Sequence, residues 1–360
     1  MTRLRGLLSK VLLAGFGTLA GFVLFEAGAR VMAVRAERLE GRFDRDLDSM
    51  PGPRPRSEVT LGQIIRRSNN PRIIYELRPR LDVVFAGARL TTADAGHRGG
   101  DVARPKPAST FRVVGIGDSY MFGQGVADEE TYLARLSQAE NAFLSGRRVE
   151  TVNLAVPGFN TAMEVETLAE RGPAFEPDLV LIEIVGNDLD LPNFLWTTVD
   201  PWTPRRLFLI DFIRSRLGGP RHGDDPTLGL SEAPREEGAR TFSRDSAQVP
   251  ERYRSLVGLP AFEAAVKALG EFGRARGTPV LALTHGVWFE TEMLAVLEKH
   301  GIPVLVLRQT LRRAARDLGA PDYARSPLAR SPSDLHPSAV GHREIARALG
   351  GWIKEQLSGI

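Results

Sequence analysis

The chain contains no cysteine among its 360 residues. That absence excludes disulfide bonds and metal sites built from thiolates. The sequence also lacks an HExxH metal motif and a phosphate-binding loop that ends in lysine. Gly115 and Gly117 resemble the start of a dinucleotide-binding loop, but Tyr120 stands where the third glycine is required. We therefore expect neither a metal nor a cofactor.

An excess of charge of one sign is also absent. The formal net charge is only +3, from 47 Lys and Arg against 44 Asp and Glu. No basic stripe is interleaved with aromatic residues, so nucleic acid is not an expected partner. A hydrophobic content of 42% and a charged content of 25% are ordinary for a globular protein. The length suffices for one large domain or two small ones, and the oligomeric state stays undetermined.

An uncharged apolar run occupies residues 11–25, behind Arg3, Arg5 and Lys10. Continued to residue 29, it would span about 28 Å as a helix, close to the thickness of a bilayer core. The run is either an uncleaved signal anchor or a cleaved signal peptide, and the helical pattern that continues past Glu26 favours an anchor. Arginines on both sides leave the orientation open by charge alone. We predict a transmembrane helix within residues 1–29, a single pass through the cytoplasmic membrane, and the remaining chain on its outer side.

The rest of the chain divides near residue 110. Residues 30–110 are predicted to form a membrane-proximal helix, a linker and short strands near 72–77 and 82–85. From 111 to 360, apolar strands alternate with helical patterns, which is typical of a parallel sheet covered on both faces. The strands are predicted near 112–117, 150–155, 178–184, 279–284 and 303–307. The helices are predicted near 128–145, 160–172, 259–276, 288–300, 309–318 and 338–357. A lid-like insertion at about 190–255, with an amphipathic helix at 204–216, interrupts the alternation.

Four of these segments end in residues that can perform chemistry. Ser119 directly follows the first predicted strand, Gly158 follows the second, and Asn187 follows the third. His336 lies near the carboxyl end of the chain, ahead of the last helix. A serine hydroxyl needs a neighbouring base to become a nucleophile, and histidine is the usual one. Because ligands bind at the carboxyl ends of parallel strands, we expect these residues to form one site.

In this order, with the continuation at residues 121–125 and the segment 336–343, the chain resembles the SGNH hydrolase family, also called GDSL esterases, in its membrane-anchored bacterial type. The resemblance runs from about residue 111 to 357. It implies a three-layer αβα sandwich around a five-stranded parallel sheet in flavodoxin-like order. It also implies Ser119 as nucleophile, His336 as base, and an oxyanion hole formed by the Ser119 N–H, the Gly158 N–H and the Asn187 side chain.

The sequence departs from the family pattern beside the histidine. The family commonly has aspartate three residues before it, where this chain has Ser333, and the acid here is Asp334, two residues before. Residues two apart in an extended segment point to the same side, so we expect Asp334 to orient His336, with a backbone carbonyl as the alternative. Tyr120 replaces the usual leucine. Structural roles are expected for Asp118, Asp188 and His342.

These residues predict a serine ester hydrolase that removes an acyl group, acetyl included, from an envelope or extracellular carbohydrate or a similar ester. An O-acetyltransferase would use the same residues and pass the acyl group to a glycan hydroxyl instead of water. A non-catalytic envelope scaffold that keeps the fold is the third alternative. The expected partners are the ester substrate, acylated glycans included, and the membrane.

Overall fold

The structure is a computed structural model that describes most of the chain. The described residues are 10, 13–32, 57–138, 142–192, 194–196, 251–286 and 291–358, with a few positions between 207 and 249. Two compact units result, one from residues 51–195 and 233–360 and the other from residues 1–50 and 196–232. The first unit contains the predicted site residues and is described first.

A six-stranded mixed sheet forms the centre of this unit. Its strands, in spatial order, are Val304–Val306, Val280–Thr284, Leu179–Glu183, Thr110–Ile116, Arg147–Asn153 and Phe143–Leu144. The first five are parallel. When they are numbered by their order in the chain, their spatial order is 5-4-3-1-2, which is the predicted flavodoxin-like order. The strand Leu179–Glu183 is buried along its whole length. Strands buried on both faces need apolar residues throughout, which explains why they read as continuous apolar runs.

Six helices surround the sheet. Their bounds are Tyr132–Gln138, Thr161–Arg171, Gly258–Arg276, Thr291–Lys299, Arg308–Asp317 and Ala339–Ser358. The second, third and fourth of these pack in sequence against one another, and the last packs against the first and the fifth. Because the strands between the two groups are buried on both faces, the arrangement is the predicted three-layer αβα sandwich.

One predicted helix is wrong in its last part. The prediction ran from residue 128 to 145, whereas the structure has a 3₁₀ turn at Asp128–Glu130, the helix Tyr132–Gln138, and then the strand Phe143–Leu144. Ser145 and Gly146 both have positive φ, 49° and 73°. Two such residues form a tight hairpin turn, which pairs the short strand antiparallel with Arg147–Asn153. The sheet therefore has a sixth strand that the sequence did not predict.

Residues 57–100 form small sheets in the same unit. Their elements are Glu58–Val59, Leu61–Ile64 (helical), Ile65–Arg67, Tyr75–Leu77, Asp82–Phe85 and Ala88–Thr91. The predicted strands near 72–77 and 82–85 are present, although the first begins only at Tyr75. This segment reaches the central sheet, because the Arg98 N–H donates to the Asn153 carbonyl at 3.0 Å. The Tyr75 hydroxyl donates to the Pro157 carbonyl at 3.0 Å, in the loop that holds Gly158.

The two ends of the predicted insertion are fastened together beside the sheet. The buried side chain of Asn160 donates to the carbonyls of Asp190 and Leu256, at 2.8 and 2.9 Å. The Gly258 N–H also donates to the Leu189 carbonyl at 2.8 Å. The strand Phe194–Trp196 and the 3₁₀ helix Glu251–Leu256 are described. Apart from position 207, the predicted amphipathic helix at 204–216 lies outside the described residues.

In the second unit, residues 13–32 are helical, and the short strands Asp224–Asp225 and Leu230–Glu232 pair antiparallel. The helix exposes large apolar side chains, among them Leu13, Phe16 and Leu24. Within the described part of the chain, however, no helix is both long enough and apolar enough to cross a membrane. The predicted transmembrane helix within residues 1–29 thus receives no support from these residues.

Candidate active site

Ser119 lies at the first residue of a short helix, Ser119–Phe122, directly beyond the central strand Thr110–Ile116. Asp118 caps this helix, since its carboxylate accepts the Tyr120 N–H at 2.9 Å. Gly117 has a packing role there, because a Cβ on it would come within 2.8 Å of the Met121 Cβ. The glycines before Ser119 therefore permit a tight strand-to-helix turn, and the turn presents the hydroxyl at the carboxyl edge of the sheet.

Ser119, His336 and Asp334 form one chain of hydrogen bonds. The Ser119 Oγ lies 2.8 Å from His336 Nε2, and His336 Nδ1 lies 2.6 Å from an Asp334 oxygen. A carboxylate can only accept, so Nδ1 carries the proton and Nε2 accepts from the serine hydroxyl. His336 and Asp334 share the strand Asp334–Pro337, which pairs with Ala329–Ser331. The structure thus brings together the three residues expected to act in sequence.

Arg330 holds the second oxygen of Asp334. Its Nη1 donates to that oxygen at 2.5 Å, and its Nη2 donates to the Ala86 carbonyl at 2.7 Å. Burial raises the pKa of Asp334, but the hydrogen bond from His336 and the charges of His336 and Arg330 outweigh burial. The pKa of Asp334 therefore lies below its ordinary value. Asp334 stays ionised at neutral pH and can accept the imidazole N–H.

The two remaining predicted residues follow the neighbouring strands. Asn187 lies in the turn after Leu179–Glu183, and its Nδ2 donates to Asp118 at 3.2 Å. The same Asp118 oxygen lies 3.2 Å from the Ser119 hydroxyl, so Asp118 joins Asn187 to the serine. Gly158 lies in the loop after Arg147–Asn153 with φ of 80°. That loop is fastened beside the serine turn by the Val156 N–H, which donates to the Gly117 carbonyl at 3.1 Å.

A model of the GDSL-like lipase/acylhydrolase family matches residues 116–344, more than half of the chain. The chain belongs to this family. It is an ester-hydrolysing enzyme, as the family predicts. Comparison with curated proteins gives no match.

The solved structures to which the chain is similar share little sequence with it. LAE5, an alpha/beta hydrolase enzyme from the metagenome of Lake Arreo in Spain, is 17% identical with a TM-score of 0.38, covering 66% of this chain and 93% of that one. A variant of Axe2, an acetyl-xylooligosaccharide esterase from Geobacillus stearothermophilus, is 15% identical with a TM-score of 0.37, covering 66% and 92%. The psychrotrophic esterase EstA from Pseudoalteromonas sp. is 13% identical with a TM-score of 0.39, covering 69% and 98%. At these values, the likenesses carry no argument about the substrate of this GDSL-family chain.

The structure also places the residues expected to be structural. His342 is fully buried and its Nδ1 accepts the Tyr132 N–H at 3.2 Å. Burial lowers the pKa of His342 well below its ordinary value, so the ring is neutral. Asp188 accepts the Val185 N–H at 2.9 Å and shapes the turn that carries Asn187. Among the described residues, no group of histidine, aspartate and glutamate could hold a metal ion.

Sequence reasoning missed the cluster behind the serine and histidine. The ring of Tyr120 lies between those of His336 and His285, with centroid distances of 4.7 and 4.9 Å. His285 Nε2 lies 2.6 Å from a carboxylate oxygen of the fully buried Glu183, and the Tyr132 hydroxyl donates to the other oxygen at 2.9 Å. Burial raises the pKa of Glu183 despite the opposing effect of His285. These residues share no motif, because separate strands and loops bring them together.

Proposed function

We propose that Ser119 attacks the carbonyl carbon of an ester and that His336 is the general base. The observation that carries the proposal is the hydrogen-bonded chain from the Ser119 hydroxyl through the His336 ring to Asp334. In the first step His336 Nε2 takes the serine proton as the Oγ–carbonyl bond forms. His336 then returns that proton to the leaving alcohol when the ester bond breaks, and an acyl-enzyme remains.

Water completes the reaction by the reverse sequence. His336 removes a proton from water, the hydroxide oxygen bonds to the acyl carbon, and the Ser119 oxygen leaves with the proton from His336. Asp334 acts by fixing the ring tautomer and by stabilising the positive charge that the ring carries between steps. The lowered pKa of Asp334 supports this role, because a protonated carboxyl could not stabilise an imidazolium.

The negative oxygen of the tetrahedral intermediate needs donors already in place. We assign this role to the Ser119 N–H, the Gly158 N–H and the Asn187 Nδ2. One proton of the Asn187 amide contacts Asp118 and the second is available for the substrate oxygen. Loss of such a donor typically costs about 3 kcal/mol of the activation barrier. Glycine suits the second position, since no side chain obstructs the approaching substrate.

The test is hydrolysis of 4-nitrophenyl acetate by residues 36–360, beside Ser119→Ala and His336→Ala. We expect activity in the parent and a loss of about three orders of magnitude or more in each variant. Ser333→Ala is the matched control. Ser333 lies three residues before His336 and is exposed, so we expect its replacement to leave activity unchanged. Full activity in Ser119→Ala would refute the assignment of the nucleophile.

The finer proposal is that the substrate is an acylated carbohydrate of the cell envelope. It rests on the signal-like N-terminus, which implies export, and on the polar composition of the insertion predicted at about 190–255. An O-acetyltransferase would form the same acyl-enzyme and use a glycan hydroxyl in place of water. Acetyl transfer to a glycan acceptor, measured where hydrolysis is absent, would favour that alternative. A folded protein that does neither would favour the scaffold.

The proposed location is the outer side of the cytoplasmic membrane, held by the N-terminal apolar run. The support is the sequence of residues 3–29 alone. Fractionation of cells that express the full chain would test it, together with protease treatment of spheroplasts. Recovery of the full-length protein from the soluble cytoplasmic fraction would contradict the proposal.

A further inference from the structure

A cavity lined by three arginines adjoins the strand that carries Asp334 and His336. It has a volume of about 650 Å³. On one side it is lined by His285, Tyr323 and Leu335. Leu335 lies between Asp334 and His336 in the chain, and its carbonyl accepts the Tyr323 hydroxyl at 3.2 Å. His285 packs against Tyr120, which packs against the His336 ring. The wall of this cavity is therefore continuous with the groups that hold His336.

Three arginines also line this cavity. Arg308, Arg312 and Arg316 lie four residues apart on the helix Arg308–Asp317, and all three side chains are exposed. Residues four apart share a face, and successive ones are separated by about 6 Å along the axis. A row of like charges on one helix face is destabilising. A ligand that carries negative charges would remove this repulsion.

The described neighbouring residues do not neutralise the row of three arginines. Within the described part of the chain, no carboxylate forms an ion pair with any of the three guanidinium groups. Arg308 uses its Nε to bind the Gly286 carbonyl at 2.5 Å. Asp322 also lines the cavity, but it is paired with Arg325, whose Nη1 lies 2.6 Å from its carboxylate. The planar donor groups of Arg312 and Arg316 remain available for carboxylates, which arginine binds in a bidentate manner.

We propose that this cavity binds the negatively charged groups of an anionic glycan whose ester lies at Ser119. The inference rests on the proposed ester hydrolysis, since only then does the cavity adjoin a site that holds a substrate. Neighbouring strands are about 4.8 Å apart, and three strand steps separate the Arg308 end of the sheet from the Ser119 end. The resulting spacing of roughly 14 Å is longer than one small ester and corresponds to several units of a sugar chain. Carboxylates repeated along a sugar chain would meet the row of arginines.

Binding of trigalacturonate, measured by calorimetry, tests this without requiring catalysis. We expect the parent to bind it, and to bind the neutral galactose trimer of the same linkage far more weakly. The double variant Arg312→Gln/Arg316→Gln should weaken binding by about tenfold or more. Arg313→Gln is the matched control, because Arg313 lies on the same helix, is exposed, and does not line the cavity. Added salt should weaken binding in the parent.

Three results would overturn the proposal: equal affinity for both trimers, unchanged affinity in the double variant, or binding of inorganic phosphate as tight as that of trigalacturonate. Hydrolysis of 4-nitrophenyl acetate separates the two proposals. The double variant should keep the parental rate, and on acetylated trigalacturonate its KM should rise while kcat is unchanged. Binding without any hydrolysis by the parent would defeat the esterase proposal and leave a site for anionic glycans only, whereas hydrolysis without anion-dependent binding would defeat only this inference.

Discussion

Asp334 reaches His336 although it is one position closer in the chain than is usual for the family. The strand Asp334–Pro337 is extended, and side chains two residues apart in a strand lie on the same face. The carboxylate lies 2.6 Å from Nδ1, which is the geometry that orientation of the ring by Asp334 requires. Ser333, at the usual aspartate position, is exposed, and its hydroxyl shares a hydrogen bond with the Ser331 hydroxyl at 3.1 Å.

Asp334→Asn should reduce kcat on 4-nitrophenyl acetate by about 10³- to 10⁴-fold. Arg330 would retain the amide oxygen, so the amide NH₂ would face His336 and place the imidazole proton on Nε2. That tautomer cannot accept the Ser119 proton. Steady-state kinetics measures the effect, and Ser333→Ala should match the parent. A loss smaller than tenfold in Asp334→Asn would mean that another group orients the ring.

His97 is a buried residue whose titration should affect stability. It is 2% exposed, and its Nε2–H donates to the Gly100 carbonyl at 3.1 Å. Burial, opposed by that hydrogen bond and assisted by Arg171, lowers the pKa of His97 from 6.5 to about 4. Below pH 6.5 the unfolded chain binds a proton here that the folded protein does not bind until about pH 4. The contribution of the neutral His97 ring to the free energy of unfolding is therefore fully present above pH 6.5 and is lost as the pH falls toward 4.

The expected loss of unfolding free energy from His97 is about 3 kcal/mol over that range. Urea denaturation at a series of pH values measures it. His97→Gln retains a donor for Gly100 and does not titrate, so its stability should depend less on pH by that amount. Parallel pH curves for the two proteins would show that His97 does not control acid sensitivity.

At the scale of the structural element, the loop after the Ser119 helix carries a glycine that the site requires. Gly125 has φ of 85°, and a Cβ on it would lie 2.2 Å from the Nε of Arg330. Arg330 is the residue that holds Asp334. Gly125 belongs to the continuation at residues 121–125 that forms part of the family pattern. Its lack of a side chain therefore leaves room for Arg330, 205 positions later in the chain (330 minus 125).

Gly125→Ala should lower kcat by about 10- to 100-fold, because Arg330 must move and Asp334 loses its alignment. Gly146→Ala is the matched control, since Gly146 also has positive φ, 73°, but nothing lies within 4 Å of a Cβ there. Both variants should lose about 1–2 kcal/mol of stability from backbone strain. Thermal melts and kinetics together check this, and equal kcat values in the two variants would exclude a role for the Arg330 contact.

Elements with strong local patterns were predictable, and elements defined by distant contacts were not. The five parallel strands appear in the sequence as apolar runs, and their order followed from the family resemblance. The sixth strand, Phe143–Leu144, has two residues and depends on a turn, so the helical pattern before it was extended too far. His285 contacts the site from the end of another strand, and Arg330 lies only four residues before Asp334, but neither residue belongs to a sequence motif that indicates its role.

At the scale of the whole molecule, residues 57–100 belong to the catalytic unit. The buried guanidinium of Arg98 donates to the carbonyls of Phe122, Gly123 and Val126, at the end of the Ser119 helix and in the loop that follows it. It also forms an ion pair with Asp128 at 2.8 Å. The sequence pattern of two short strands does not reveal this, because one arginine among many carries no signal of burial. The segment thus completes the loop that supports the nucleophile.

Two truncations should consequently behave differently. Residues 57–360 keep the contacts of Tyr75, Ala86 and Arg98. This fragment should fold, and it should hydrolyse 4-nitrophenyl acetate as fast as residues 36–360 do. Residues 101–360 lose all three contacts, and the Asp128 carboxylate and several buried carbonyls lose their donor. We expect this fragment to be insoluble or inactive, as judged by circular dichroism and by activity.

A point variant isolates the largest of these contacts. Arg98→Leu should cost about 3 kcal/mol of unfolding free energy, because breaking a buried ion pair leaves its partner groups unsatisfied. Arg89→Leu removes an exposed pair with Asp82 and should leave stability unchanged, since solvent screens such pairs. If the 101–360 fragment folded with parental activity, or if Arg98→Leu were as stable as Arg89→Leu, residues 57–100 would not be required by the catalytic unit. Because Arg98 binds the loop next to Ser119, we expect its loss to reduce kcat as well as stability.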